Sequence, residues 1–395
     1  MSSKEQKDSV IKLYYLSKFF TGLRFFVPIW IIFGKRFFDV SGLGMIDALT
    51  FLITVFVDIP SGALADILGR KRIIIFGIIL MGLGHSFIGF SNVQWQYVIF
   101  GIISSIGASF ISGADSALIY DHLKETKKEA TFVKVQSFGT FTYRIGIIIA
   151  AFLGGSLYNT VPFLPFLLMG LMEFSSAVCW IFIKEPKFDA TKFSLTNYIK
   201  QIKDGIKEVS HNSYLKPLVL FYTLIGGITF SCFWFFNYAY AADLGFNPNQ
   251  LSLLFGTTGI AKAIAVLVIG IFYLKFNRKR VFIGFALIMV IFYIPAFFVG
   301  TAFAILIITV IESLGAMRIA LLDKFINEEI NSANRATTLS FVNMLINIFY
   351  VLLVGLGSIV AQQRGTNFLY TIFGVISLII ILPLAIYLSR YKRKY

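Results

Sequence analysis

Twelve stretches of this chain are long and apolar enough to cross a lipid bilayer, and between them they use up most of its length. A helix needs about 20 mainly apolar residues to span the hydrocarbon core. Such runs lie at 10–33, 43–64, 73–91, 94–120, 132–157 and 161–183, and again at 214–238, 249–274, 280–299, 301–323, 336–361 and 367–389. They are taken below as spans one to twelve. The runs are continuous rather than alternating, which excludes an outer-membrane β-barrel. A soluble chain carries about 25% charged residues; this one has 14%, with 57% apolar residues among 395. A soluble multidomain protein, a disordered chain and a coiled coil are excluded with it. Mean hydropathy is +0.80.

The net charge of +15 would suggest nucleic acid in a soluble protein. Here the cations sit in short loops between apolar runs, so they read as a topology signal and no nucleic-acid partner is expected. An even number of spans puts both termini on one side. With that side cytoplasmic, 27 Lys and Arg lie inside and three outside (Lys35, Arg36, Arg364). The other five, Lys18, Arg24, Arg144, Lys262 and Arg318, fall within spans. Met1 to Ser9 is polar without a cleavage pattern, so the first span is expected to remain as an anchor. Cys179 and Cys232 lie in apolar runs and read as small buried hydrophobes.

The longest polar interruption, 184–213, divides the spans six and six. This sets the expected domains: a bundle over 1–186, a cytoplasmic linker over 187–213 and a second bundle over 214–395. In the linker Leu195, Ile199, Ile202, Ile206 and Val209 recur at helical spacing, as for a helix lying on the inner leaflet. The halves also echo one another. Arg70-Lys71-Arg72 opens span three and Arg278-Lys279-Arg280 opens span nine, 208 residues on. Ala130-Thr131 and Ala336-Thr337 precede spans five and eleven, and Leu153-Gly154-Gly155-Ser156 is echoed by Gly355-Leu356-Gly357-Ser358. Parallel six-helix repeats imply two bundles about a central path, and alternating access follows from that arrangement.

Between spans two and three stands Asp58-Ile59-Pro60-Ser61-Gly62-Ala63-Leu64-Ala65-Asp66-Ile67-Leu68-Gly69-Arg70-Lys71-Arg72. This resembles the signature loop of the major facilitator superfamily, Gly-x-Leu-x-Asp-x-x-Gly-Arg-Lys, with Gly62, Leu64, Asp66, Gly69, Arg70 and Lys71 at its positions. Ala117-Leu118-Ile119-Tyr120-Asp121 and Arg335-Ala336-Thr337 further resemble a bacterial branch usually labelled drug or multidrug transporter. The resemblance covers the whole chain. It implies an all-α membrane protein of twelve transmembrane helices in two six-helix bundles related by pseudo-two-fold symmetry. The loop's physics agrees: Gly62 allows close helix approach, Gly69 a tight turn, and Asp66 can pair with Arg70. Asp115 is expected as a third member of this conformational latch. The chain departs from drug–proton antiporters of the superfamily in span four, where Gly101 stands at their arginine position. It departs again in span five, where Gly146, Gly154 and Gly155 occur without a proline.

Ionisable groups inside a membrane are costly and so mark function by default. Counting ~1.5 Å per residue places Arg24, Arg144, Glu173, Lys262 and Glu312 near the midplane. The resemblance implies that Arg24, Arg144, Lys262 and Glu312 face the path and that Glu173 is peripheral. His85 reads as a packing residue, and Arg318 with Asp323 as part of an inner gate. Three cations against one or two carboxylates favour either an anionic substrate group or a salt-bridge network. An isolated carboxylate in low dielectric can carry a proton, whereas one beside a lysine stays ionised; the sequence leaves both open for Glu312. No nucleotide-binding loop or Cys/His metal cluster appears. The expectation is a monomeric secondary transporter in a bacterial inner membrane, not an enzyme, with no cofactor and the proton gradient as energy source. Its partners would be protons, the lipid bilayer and a small molecule. Proton-coupled efflux of small amphiphilic compounds is the first reading, transport of one organic anion the second, and a membrane-embedded lipid-processing enzyme a distant third.

Overall fold

The computed structural model describes residues 3–185, 203, 205–272, 277–330 and 335–391. These residues form helices and turns, with no strand among them. Among the described residues, eleven helices are long and apolar enough to cross a membrane: Val40–Asp58, Arg70–Gly89, Gln94–Glu125, Glu129–Thr160, Leu164–Phe182, Leu215–Asp243, Pro248–Ile269, Arg278–Phe297, Thr301–Glu329, Thr338–Arg364 and Thr366–Arg390. They are spans two to twelve. Large exposed apolar side chains such as Phe56, Phe182, Leu267 and Leu356 stud their outer faces, as lipid contact requires.

Span one is not the continuous helix expected over 10–33. It runs Ser3–Gly22, loses helical form, and resumes as Trp30–Gly34. Pro28 contributes to the break: it has no N–H to offer the Arg24 carbonyl four residues back, and it disfavours helical geometry at the residue before it. Gly22 and Gly146 permit the packing at this point. A Cβ on Gly146 would stand 2.6 Å from the Phe19 carbonyl oxygen, so spans one and five meet backbone to backbone. Span four is also interrupted. Gln94–Ile111 gives way at Gly113, with φ 74°, to Ala114–Glu125. Spans seven and twelve each contain a π-helical turn, at Cys232–Phe236 and Ser377–Ile381.

The chain divides into two compact units. Unit 1 comprises Met1–Phe38, Leu49–Phe193 and Asn247–Gly256; unit 2 comprises Asp39–Ala48, Ser194–Phe246 and Thr257–Tyr395. The division follows the two halves of the chain apart from one exchanged segment each. In unit 1 span three packs along spans four and six. Its core gathers Tyr14, Ile74, Ile78, Leu118 and Trp180. The start of span eight, Asn247–Gly256, belongs here, where the Gly155 N–H donates to Ser252 Oγ at 2.5 Å.

Unit 2 packs span seven against spans ten and eleven, and span nine against span twelve. Aromatic rings fill its core: Phe221 on Phe282 at 5.2 Å, and Tyr293 on Tyr370 at 5.3 Å. The start of span two belongs here, where Tyr350 donates its hydroxyl to the Asp47 carboxylate and the Val40 N–H donates to Gln362 Oε1 at 3.0 Å. Asp39 opens that span. The Gly42 N–H and then the Ser41 hydroxyl hold its carboxyl below the usual carboxylate range. Of the linker, residues 205–211 are helical, with Val209 buried and Ile206 exposed. Leu195, Ile199 and Ile202 lie outside the described residues.

Candidate functional site

The break in span one decides what unit 1 can bind. Where the helix stops, Arg24 turns toward a cavity of about 430 Å³ lined also by Lys18, Ser112, Asp115, Tyr143 and Trp180. Lys18 and Asp115 form an ion pair across this wall. Arg24 has a buried Nε with no hydrogen-bond partner. Aromatic faces, hydroxyls and a guanidinium on one wall suit an amphiphilic molecule with a polar end. Arg144, expected like Arg24 to face the path, is exposed on span five and does not line this cavity, although Tyr143 before it does.

Asp115 therefore has a different partner from the one expected. It was assigned to the latch with Asp66 and Arg70, but it lies on Lys18. The left-handed Gly113 re-aims the chain just before it, and a carboxylate in the first turn of the new helix is favoured by the helix dipole. Arg70 forms an ion pair with Asp121, both partly exposed. Gly69, with φ 96°, makes the turn that separates spans two and three, a conformation that glycine adopts without strain. Beside it the Lys71 N–H donates to Glu185 Oε1 at 3.2 Å. The backbone of Gly62 and Asp66 is helical within Val40–Leu68; their side chains lie outside the described residues.

Glu173 and His85 find each other. Glu173 is 1% exposed and His85 6%, and His85 Nδ1 lies 2.9 Å from both carboxylate oxygens. The Phe26 ring lies against the imidazole, 5.3 Å between centroids. This pair joins spans three and six away from the cavity. His85, expected only to pack, is the partner of Glu173.

In unit 2 Lys262 Nζ contacts Glu312 Oε2 at 2.7 Å. Asn237 Nδ2 donates to Glu312 Oε1 at 3.2 Å, and the Tyr370 hydroxyl donates to Asn237 Oδ1 at 2.5 Å. The π-helical turn Cys232–Phe236 ends directly before Asn237. Its wider turn shifts the helix face that follows, as such turns often do beside functional groups. Lys262 also lies over the Phe233 ring at 4.4 Å. Of the two arrangements open for Glu312, isolated or paired, the structure has the paired one.

Lys18, Asp121, Asn237 and Tyr370 were given no role from sequence. Lys18 carried a signal, being a lysine inside a span, and Asp121 stood in a quoted motif. Asn237 and Tyr370 carried none, because their roles depend on a turn that periodicity does not show.

A model of the Major Facilitator Superfamily matches residues 14–238 and 219–394. The chain is 26% identical over 262 residues to an uncharacterized MFS-type transporter, YxaM, of Bacillus subtilis (strain 168), covering 64% of this chain and 63%, under two thirds, of YxaM. It is 26% identical over 289 residues to Multidrug resistance protein 2 of the same organism, covering 71% of this chain and 70% of that one. The crystal structure of the nucleoside transporter NupG superposes with a TM-score of 0.76 at 16% identity, over 99% of this chain and 100% of that one; this shows the shared fold.

Proposed function

The chain belongs to the major facilitator superfamily, and from that membership we propose that it is a secondary transporter exporting small amphiphilic compounds by alternating access, driven by the proton gradient. The observation that carries this reading is the cavity of about 430 Å³ beside the break in span one, with Arg24 and its unpartnered Nε on the wall. A multidrug resistance protein among the relatives supports the direction of transport. The reading includes a multi-pass protein of a bacterial inner membrane, both termini cytoplasmic, working as a monomer without enzymatic activity. The cavity is suited to neutral or anionic amphiphiles. A cationic guanidinium in a poorly screened site repels a monovalent cation.

For the proton we propose Asp115, the carboxylate on the cavity wall, which stays ionised while Lys18 holds it and takes up a proton only in the state of the cycle that separates the two. Lys18, Asp115 and Arg24 line one cavity, so proton binding and substrate binding act on one surface. Proteoliposomes with an imposed pH gradient test this. Uphill movement of an anionic dye is expected in the native protein. Asp115→Asn should abolish it while leaving downhill exchange, since the amide mimics the protonated acid. Arg24→Gln should weaken anionic-dye binding by more than tenfold. Preference for a cationic dye of equal size, or full uphill transport by Asp115→Asn, would defeat the proposal.

A further inference from the structure

We propose that Arg318 is an anion-binding point in unit 2, where its guanidinium receives a carboxylate, sulfonate or phosphate-type group of the carried molecule; this deepens the transport reading and rests on it. Arg318 stands on span ten, six residues after Glu312. It is 7% exposed, yet its Nε and Nη1 are enclosed without a hydrogen-bond partner. It makes no ion pair among the described side chains; that of Asp323, expected beside it in a gate, lies outside them. The other cation deep within this unit's spans, Lys262, is held by Glu312 at 2.7 Å.

The surroundings form a seat. The guanidinium lies over the Tyr222 ring at 4.7 Å. Gly226, one turn further along span seven, leaves the room it occupies: a Cβ there would stand 3.1 Å from Nη1 and 3.1 Å from Ile346 Cδ1. Thr223, on the same face as Gly226 by helical spacing, also has a buried hydroxyl oxygen without a partner. A buried guanidinium lacking a counter-charge is unfavourable enough that such residues are ordinarily paired. The ring face offsets part of that cost. It supplies no oxygen acceptor, so the Nε and Nη1 donors stay unused. Those donors match the oxygens of a carboxylate or phosphate. An incoming oxyanion would satisfy both the charge and the donors.

The test uses the full chain in lipid nanodiscs, with thermal unfolding as readout. The probes are naphthalene-2-sulfonate, its neutral sulfonamide, the naphthyltrimethylammonium cation, and inorganic phosphate. Naphthalene-2-sulfonate is expected to stabilise the native protein saturably and at lower concentration than the other three. Arg318→Gln should weaken its apparent affinity at least tenfold, Arg318→Lys less, with the sulfonamide unaffected. Without ligand, Arg318→Gln should unfold at the native temperature or above, since it removes a buried unpaired charge. Gly226→Ala should also weaken the sulfonate by crowding Nη1, with no change of charge. Equal sulfonate affinity in Arg318→Gln or Gly226→Ala would overturn the proposal. So would a lowered midpoint or failed folding of Arg318→Gln, which would make the arginine structural. Phosphate stabilising as well as the sulfonate would place a free anion there and overturn the substrate assignment. Arg318-dependent binding without pH-driven transport would remove the transport reading alone; pH-driven transport without Arg318-dependent binding would remove this one alone.

Discussion

Lys262 and Glu312 show what a buried charge pair demands. Glu312 is 4% exposed and accepts from Lys262 at 2.7 Å and from Asn237 at 3.2 Å. Proton uptake would disrupt the contact to Lys262 and leave that cation unmatched. Breaking such a pair by removing one partner typically costs about 3–5 kcal/mol, whereas replacing both is often near neutral. Glu312→Gln and Lys262→Gln are each therefore expected to lower the unfolding midpoint clearly, and the double substitution to recover most of the loss. A double-mutant cycle followed by thermal unfolding in detergent measures this. Additive losses would show that the two side chains are not coupled. The same cycle run with pH-driven transport separates structure from mechanism: a restored midpoint with restored transport takes Glu312 out of proton carriage.

At the level of elements, the break in span one is the feature on which the candidate site depends. Pro28 ends the upper helix's continuity, and close contact with span five holds the lower helix against a backbone. Gly22 faces the Tyr143 carbonyl so closely that an added Cβ would also lie 3.1 Å from the Tyr143 Cα. Backbone does not yield as a flexible side chain does, so Gly22→Ala should destabilise by about 1–3 kcal/mol, the usual range for overpacking. It should also displace Arg24, two residues on, and weaken dye binding. Denaturant titration and dye binding on the same preparation check both. An unchanged midpoint would show that spans one and five are looser than this packing requires.

At the scale of the whole molecule, the loops carry the orientation signal. The bias of 27 cations against three predicts which ends of the spans face the cytoplasm. Single cysteines at Asn92, Asn159 or Asn247 should react with an impermeant thiol reagent from outside, and those at Lys127 or Lys203 only after permeabilisation. Native Cys179 and Cys232 are buried and should contribute little background. The reverse pattern would invert the topology and with it the proposed direction of export.

Span number, cation bias and the Gly69-Arg70-Lys71 turn were legible in the chain because each rests on a local quantity: the length of an apolar run, the charge of a short loop, the conformational freedom of one glycine. Intramembrane charges were legible as a set, since lipid penalises every one of them. Their partners were not. Asp115 lies 97 residues from Lys18, Glu173 88 from His85 and Glu312 50 from Lys262. Which carboxylate meets which cation depends on helix rotation and on breaks at Pro28, Gly113 and the π-helical turn Cys232–Phe236. A single extra or missing residue in a helical turn rotates everything beyond it by about 100°. Hydropathy is nearly blind to such a rotation, so only the packed helices decide it.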